Sequence, residues 1–177
     1  MRTQQHSEHP TFEKVWQMHL ETEKKFREAD KRMNKLEYLF TSQWGKLIES
    51  LVEGDLIKLL HQRGIDVQRT HTRSTYNYNS EHRGEIDIIA EDGNEVVVVE
   101  VKTTLRPEDI TEFLDTLKIF KKAFPKYKEN IVYGAMAYLN TESKADVRAE
   151  RMGMFVIRAT GNSASIINEK KFKPKAF

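Results

Sequence analysis

The sequence predicts an α/β domain, a central mixed β-sheet flanked by helices, preceded by a long N-terminal helix. Three observations carry that prediction. Apolar residues step by three and four from Phe12 to Phe40. Two apolar runs meet at Asp92-Gly93. Beyond them, helical and strand-like segments alternate as far as Asn168. Three parts follow: a helical stalk over 1–41, an α/β domain over 42–168, and a basic tail over 169–177.

A chain of 177 residues fits one ordinary domain with room for an appendage. It contains no cysteine, which excludes a disulfide framework and a thiolate zinc site. The six histidines, His6, His9, His19, His61, His71 and His82, show no metal-ligand spacing. No apolar run reaches membrane-span length, and the start Met1-Arg2-Thr3-Gln4-Gln5-His6 lacks an apolar signal core, so a cytoplasmic location is expected. The net charge is only +2. Nucleic-acid binding would therefore rest on local clusters, such as the lysines from Lys118 to Lys128 or those of the tail.

From Phe12 to about Phe40 there is no glycine or proline, and good helix formers dominate. Phe12, Val15, His19, Thr22, Phe26, Ala29, Met33, Leu36 and Phe40 trace a heptad stripe with charged faces on either side. A stripe this narrow calls for a partner helix. The simplest partner is a second copy of the chain, which makes a homo-oligomer through the N-terminal helix the expectation. Folding back onto the chain's own domain is the alternative.

Ser42 is expected to cap a second helix, which runs to about Arg63 before Gly64. Leu47, Ile48, Leu51, Val52, Leu56, Leu59 and Leu60 give it a face broad enough to cover a sheet. Ile65 to Arg69 reads as a strand, and the polar stretch from Thr70 to Arg83 as an edge strand or a loop. Arg106-Pro107-Glu108-Asp109 has the proline and early acids of a helix start. Ile110, Phe113, Leu114, Leu117 and Phe120 form the buried face of that helix, which ends before Pro125. A strand over 131–139, a short helix over 143–151, a strand over 154–158 and a possible edge strand over 163–168 complete the domain.

The hairpin around Asp92-Gly93 carries the chemistry. A two-residue turn there places Ile89 opposite Val96 and Asp87 opposite Val98. Side chains alternate along a strand, so Asp87, Glu100 and Lys102 share one face, with Glu100 diagonal to Asp87. A three-residue turn would put the two acids on opposite faces. Ile86, Ile88, Val97, Val99 and Val101 are expected on one face, and Ile89, Val96 and Val98 on the other. Strands apolar on both faces are covered on both sides. Charged groups at the margin of such an element need partners: one another, a cation or water.

Gly84-Glu85-Ile86-Asp87, the turn, and Val99-Glu100-Val101-Lys102 resemble the core of the PD-(D/E)XK nuclease superfamily, which includes restriction endonucleases and archaeal-type Holliday junction resolvases. The resemblance spans roughly Trp44 to Asn168, with Ile86 where the family's name has proline. The whole chain, stalk included, is also similar to an uncharacterised bacterial family that joins an N-terminal coiled coil to this fold. The resemblance implies a restriction-endonuclease-like core and Mg²⁺ or Mn²⁺ held by Asp87, Glu100 and the carbonyl of Val101. Glu53, or its rival Glu49 one turn earlier, would complete the set, and Lys102 would act on the attacking water or the phosphate. The reaction implied is phosphodiester hydrolysis, most simply of DNA, with Lys118 and Lys121 as phosphate contacts. A catalytically silent module that binds nucleic acid or protein, dimerised by the coiled coil, is the alternative. A structural adaptor, in which the acids only satisfy a sheet end, is another.

Overall fold

Where two helices were expected, one runs unbroken: α1 spans Phe12–His61. Ser42 lies within it and caps nothing. No proline interrupts this span, and Gly45 and Gly54 cost about 1 kcal/mol each in a helix interior. That is small beside the burial of Ile48, Val52, Leu56 and Leu60, each worth roughly 1.5–3 kcal/mol. Gly64 then ends the helix in a left-handed conformation (φ 79°), with Ile65 N–H donating to the Leu60 carbonyl.

The computed structural model describes residues 11–79 and 82–177, with backbone alone at Phe40 and Thr41. His6, His9 and the first residues of the chain lie outside the described part, as does the side chain of Phe40 at the end of the heptad stripe. The chain divides into two compact units, Met1–Ser42 and Gln43–Phe177. None of the described helices is long and apolar enough to cross a membrane.

The second unit is the expected α/β domain. After α1 come β1 (Arg69–Asn77), β2 (Arg83–Glu91), β3 (Glu95–Leu105), α2 (Pro107–Ala123), β4 (Ile131–Thr141), α3 (Ala145–Arg151), β5 (Phe155–Ala159) and β6 (Ala164–Ile166). Six strands lie in sequence order in one mixed sheet. β3, β4 and β5 are parallel, and the flanking pairs are antiparallel. Successive right-handed crossovers advancing in one direction put α2 and α3 on the same face. The buried stripe of α1 covers the other.

Two cores result. Ile48, Val52, Leu56 and Leu60 pack with Ile88, Val97, Val99 and Phe155. Ile110, Phe113, Leu117 and Phe120 pack with Ile89, Val96, Val98 and Met136. Leu47, expected on the buried face of the helix, is 58 % exposed.

Two smaller expectations also change. Ile65 and Val67 are buried, but the chain pairs there only through Gln68, and the strand begins at Arg69. The polar stretch beyond it is the edge strand β1. Residues 169–177 do not hang free. Phe172 meets Phe155 edge-on, and Phe177 N–H donates to the Val132 carbonyl at 2.9 Å.

Gly134 of β4 lies close beneath Leu117 of α2. A Cβ there would stand 2.6 Å from Leu117 Cδ1 and 3.2 Å from Met154 Cγ. Gly134→Val is therefore expected to lower the unfolding free energy by about 1–3 kcal/mol, read from a urea titration.

Candidate active site

The hairpin register determines where the acids meet. Asp92 Oδ1 accepts the N–H groups of Asn94 (2.8 Å) and Glu95 (2.9 Å), and Gly93 takes φ 107°. The tight loop is thus Gly93-Asn94, one residue later than expected. Glu91 pairs with Val96, Ile89 with Val98 and Ile88 with Val99. This is a slip of two residues, so the parity that keeps both acids together survives. The regular pairing reaches Ile88 and Val99 and stops one step short of Asp87 and Glu100.

The strand itself is broken at Asp87. Ile88 joins the α1-side core and Ile86 the α2-side core, where strict alternation, and the sequence reading, would have kept them on one face. The neighbouring strand is distorted at the same level. Thr72 pairs with Ile88 and Ser74 with Ile86, but Arg73 between them is left-handed, at φ 51°. A non-glycine residue in that region costs about 1–2 kcal/mol. Arg73 thereby reaches Glu49 of α1, its Nε 3.1 Å from Oε1 and Nη2 3.1 Å from Oε2.

Within this break Asp87 Oδ2 accepts the Val101 N–H at 2.7 Å. N–H and C=O of one extended residue leave on the same side of a strand, so the Val101 carbonyl also faces β2. Lys102 Nζ lies 2.9 Å from Glu100 Oε1 and 3.8 Å from Asp109 Oδ1, at the first turn of α2.

Electrostatics distinguish Asp87 from its neighbours. Burial, then the charge of Glu100, push its carboxyl up to about 7 against the opposing Val101 hydrogen bond, with Glu49 adding to the rise. Burial alone would depress Lys102. Glu100, Asp109 and Asp87 outweigh it and hold the ammonium above its ordinary range. Glu100 thus has a close cationic partner in Lys102, while Asp87 has the Val101 N–H.

The structure sorts the remaining candidates. Glu49, not Glu53, lies in the field of Asp87. Glu53 accepts a hydrogen bond from Thr70 Oγ1 at 2.9 Å, and Thr70 pairs with Ala90, three residues along β2 from Asp87. Lys118 and Lys121 are not brought to the acids. At 1.5 Å per residue, Lys118 stands about 14 Å along α2 from Asp109, and its Nζ is 2.7 Å from Asp115. Arg73 and Asp109 were missed as site residues. Asp109 was legible only as a helix-start acid, and a left-handed arginine in a polar strand leaves no sequence signal.

Among the described residues, no three His, Cys, Asp or Glu side chains converge to hold a metal ion by themselves. The donors at the break are two carboxylates and one backbone carbonyl. Such a set suits Mg²⁺, which keeps several waters and commonly binds through one or two carboxylates and a substrate phosphate.

The fold and the acid-lined break define an α/β domain with a candidate cation site at the sheet. The chain belongs to the DUF4143 family, a domain of unknown function whose model matches residues 44–151. No curated protein matches it. Among solved structures it is similar to a repair endonuclease from Pyrococcus abyssi, at 16 % identity and TM-score 0.39, covering 63 % of this chain and 46 % of that one. A protein of unknown function follows at 20 %, TM-score 0.37, 58 % and 54 %. The EndoMS–dsDNA2 complex matches at 13 %, TM-score 0.36, 60 % and 44 %. The chain spans about half the length of these structures.

Proposed function

We propose that this chain is a metal-dependent endonuclease of the PD-(D/E)XK type that hydrolyses phosphodiester bonds in DNA. The observation that carries the reading is Asp87. Its half-buried carboxyl lies in the field of Glu100 and Lys102, at a point where two strands depart from regular geometry. A protein that only needed to close a sheet end has no use for a carboxyl held at about 7. The motif resemblance of residues 84–102 supports the same reading, and DNA is the substrate of the restriction endonucleases and resolvases it resembles.

A divalent cation held there would polarise the phosphate and make a bound water acidic. Asp87 and Glu100 supply its negative charge, and Val101 a neutral oxygen. Lys102 keeps its proton, since three carboxylates stabilise the ammonium, and so can place positive charge beside a phosphate oxygen. Arg73 neutralises Glu49 and holds it near the break. Glu49 is accordingly the third acid of the proposal. Glu49→Gln is expected to slow cleavage by about tenfold or more, and Glu53→Gln by less than about threefold, from initial rates on one DNA substrate.

The test incubates the purified full chain with plasmid, linear, single-stranded and branched DNA in Mg²⁺ or Mn²⁺. Cleavage of at least one form, lost on chelation and reduced by Lys102→Ala, is the expected result. Absence of cleavage on every form would leave the binding-module reading.

A further inference from the structure

The N-terminal part of α1 carries a charge pattern that its own chain leaves unsatisfied. In the heptad set by Phe12 and Val15 as positions a and d, the charged e residues are Glu23, Asp30 and Glu37. The charged g residues are Lys25 and Arg32. Every e charge is acidic and every g charge basic. The stripe between them is open to solvent, with Phe26 67 % and Leu36 66 % exposed. Glu23 pairs with Arg27 along the helix at 3.2 Å. Among the described residues, Lys25, Asp30, Arg32 and Glu37 have no ion-pair partner within the protomer.

The spacing of these charges selects an orientation. In a parallel coiled coil, a g residue meets the e residue five positions further along the other helix. Lys25 would then meet Asp30 of the partner subunit, and Arg32 would meet Glu37 of the partner subunit. Two-fold symmetry doubles both pairs. An antiparallel arrangement sets g against g and e against e, bases facing bases and acids facing acids. From Glu23 to Glu37 every e and g position is charged, which confines the apolar stripe there to a and d, the width that two strands cover. His19 and Thr22 add register, because a slip of one heptad would set His19 against a phenylalanine.

We propose that the segment from Phe12 to Leu39 forms a parallel, in-register, two-stranded coiled coil with a second copy of this chain. The pairing is independent of the nuclease reading and serves a binding module equally.

Because the chain has no cysteine, orientation can be read directly by cross-linking. Full-length Val15→Cys and Leu36→Cys are each expected to form disulfide dimers alone, and the unmodified chain to show twice the protomer mass in solution. Lys25→Glu with Arg32→Glu is expected to weaken the dimer at least about tenfold. Adding Asp30→Lys and Glu37→Lys to that variant is expected to restore it. A monomer mass would overturn the proposal, as would disulfides formed only when the two cysteine variants are mixed, the antiparallel outcome. Reversal of Lys25 and Arg32 without effect on the dimer would overturn it too.

Discussion

Asp87→Asn is expected to reduce the rate of metal-dependent DNA cleavage by about a thousandfold or more. Asparagine has the size of aspartate and keeps an oxygen that can accept the Val101 N–H, so the break in β2 is retained. What is lost is one of the two negative charges of the proposed cation site. Glu100→Gln is expected to act with similar severity, since it removes the opposed charge and frees Lys102 from its 2.9 Å partner. Initial rates on one plasmid substrate, with circular dichroism to verify the fold, provide the comparison. A loss smaller than about tenfold would mean that Asp87 does not bind at the reacting centre.

The same substitution is expected to stabilise the protein at pH 8. Asp87 has a folded pKa of about 7 against an ordinary 3.8. Between those values the folded chain binds more protons than the unfolded chain, so this group's contribution to stability falls as pH rises. Below about pH 4 both states are protonated and the group contributes nothing. Above about pH 8 both are ionised and the full cost of a buried carboxylate is present. The gap is worth at most about 4 kcal/mol, and partial exposure of Asp87 brings the expectation to about 2–4 kcal/mol. Asp87→Asn should therefore exceed the parent in unfolding free energy by that amount at pH 8, with the difference fading towards pH 4. Guanidinium titrations at the two pH values measure it. A carboxyl group kept at that cost is the pattern of a functional site, where stability is traded for activity.

The sheet was legible because its residues obey local rules. Val96 to Val99 are apolar on both faces, Pro107 opens a helix, and the Gly64 and Pro125 boundaries stand where backbone chemistry requires them. Parity across the hairpin was legible for the same reason. Its register was not: Asp92 uses its side chain to cap two N–H groups, which moves the loop to Gly93-Asn94 and slips the pairing by two residues. Ser42 is a good capping residue, but nothing before it in the sequence stops the preceding helix, so α1 runs through it. The nearness of Glu49 to Asp87 and its pairing with Arg73 were beyond the sequence. Both depend on a left-handed residue in β1, a tertiary distortion that no neighbouring glycine announces. Lys118 and Lys121 lie further along α2 than the acids, a separation that a helix position alone does not reveal.

Titration of Mn²⁺ into the full-length protein by calorimetry tests most directly whether Asp87 and Glu100 are paired to hold a cation. The account predicts saturable binding by the unmodified chain that is weakened at least about tenfold in Asp87→Asn and in Glu100→Gln, each folded. Equal affinity in all three proteins, or no binding by the unmodified chain, would contradict it.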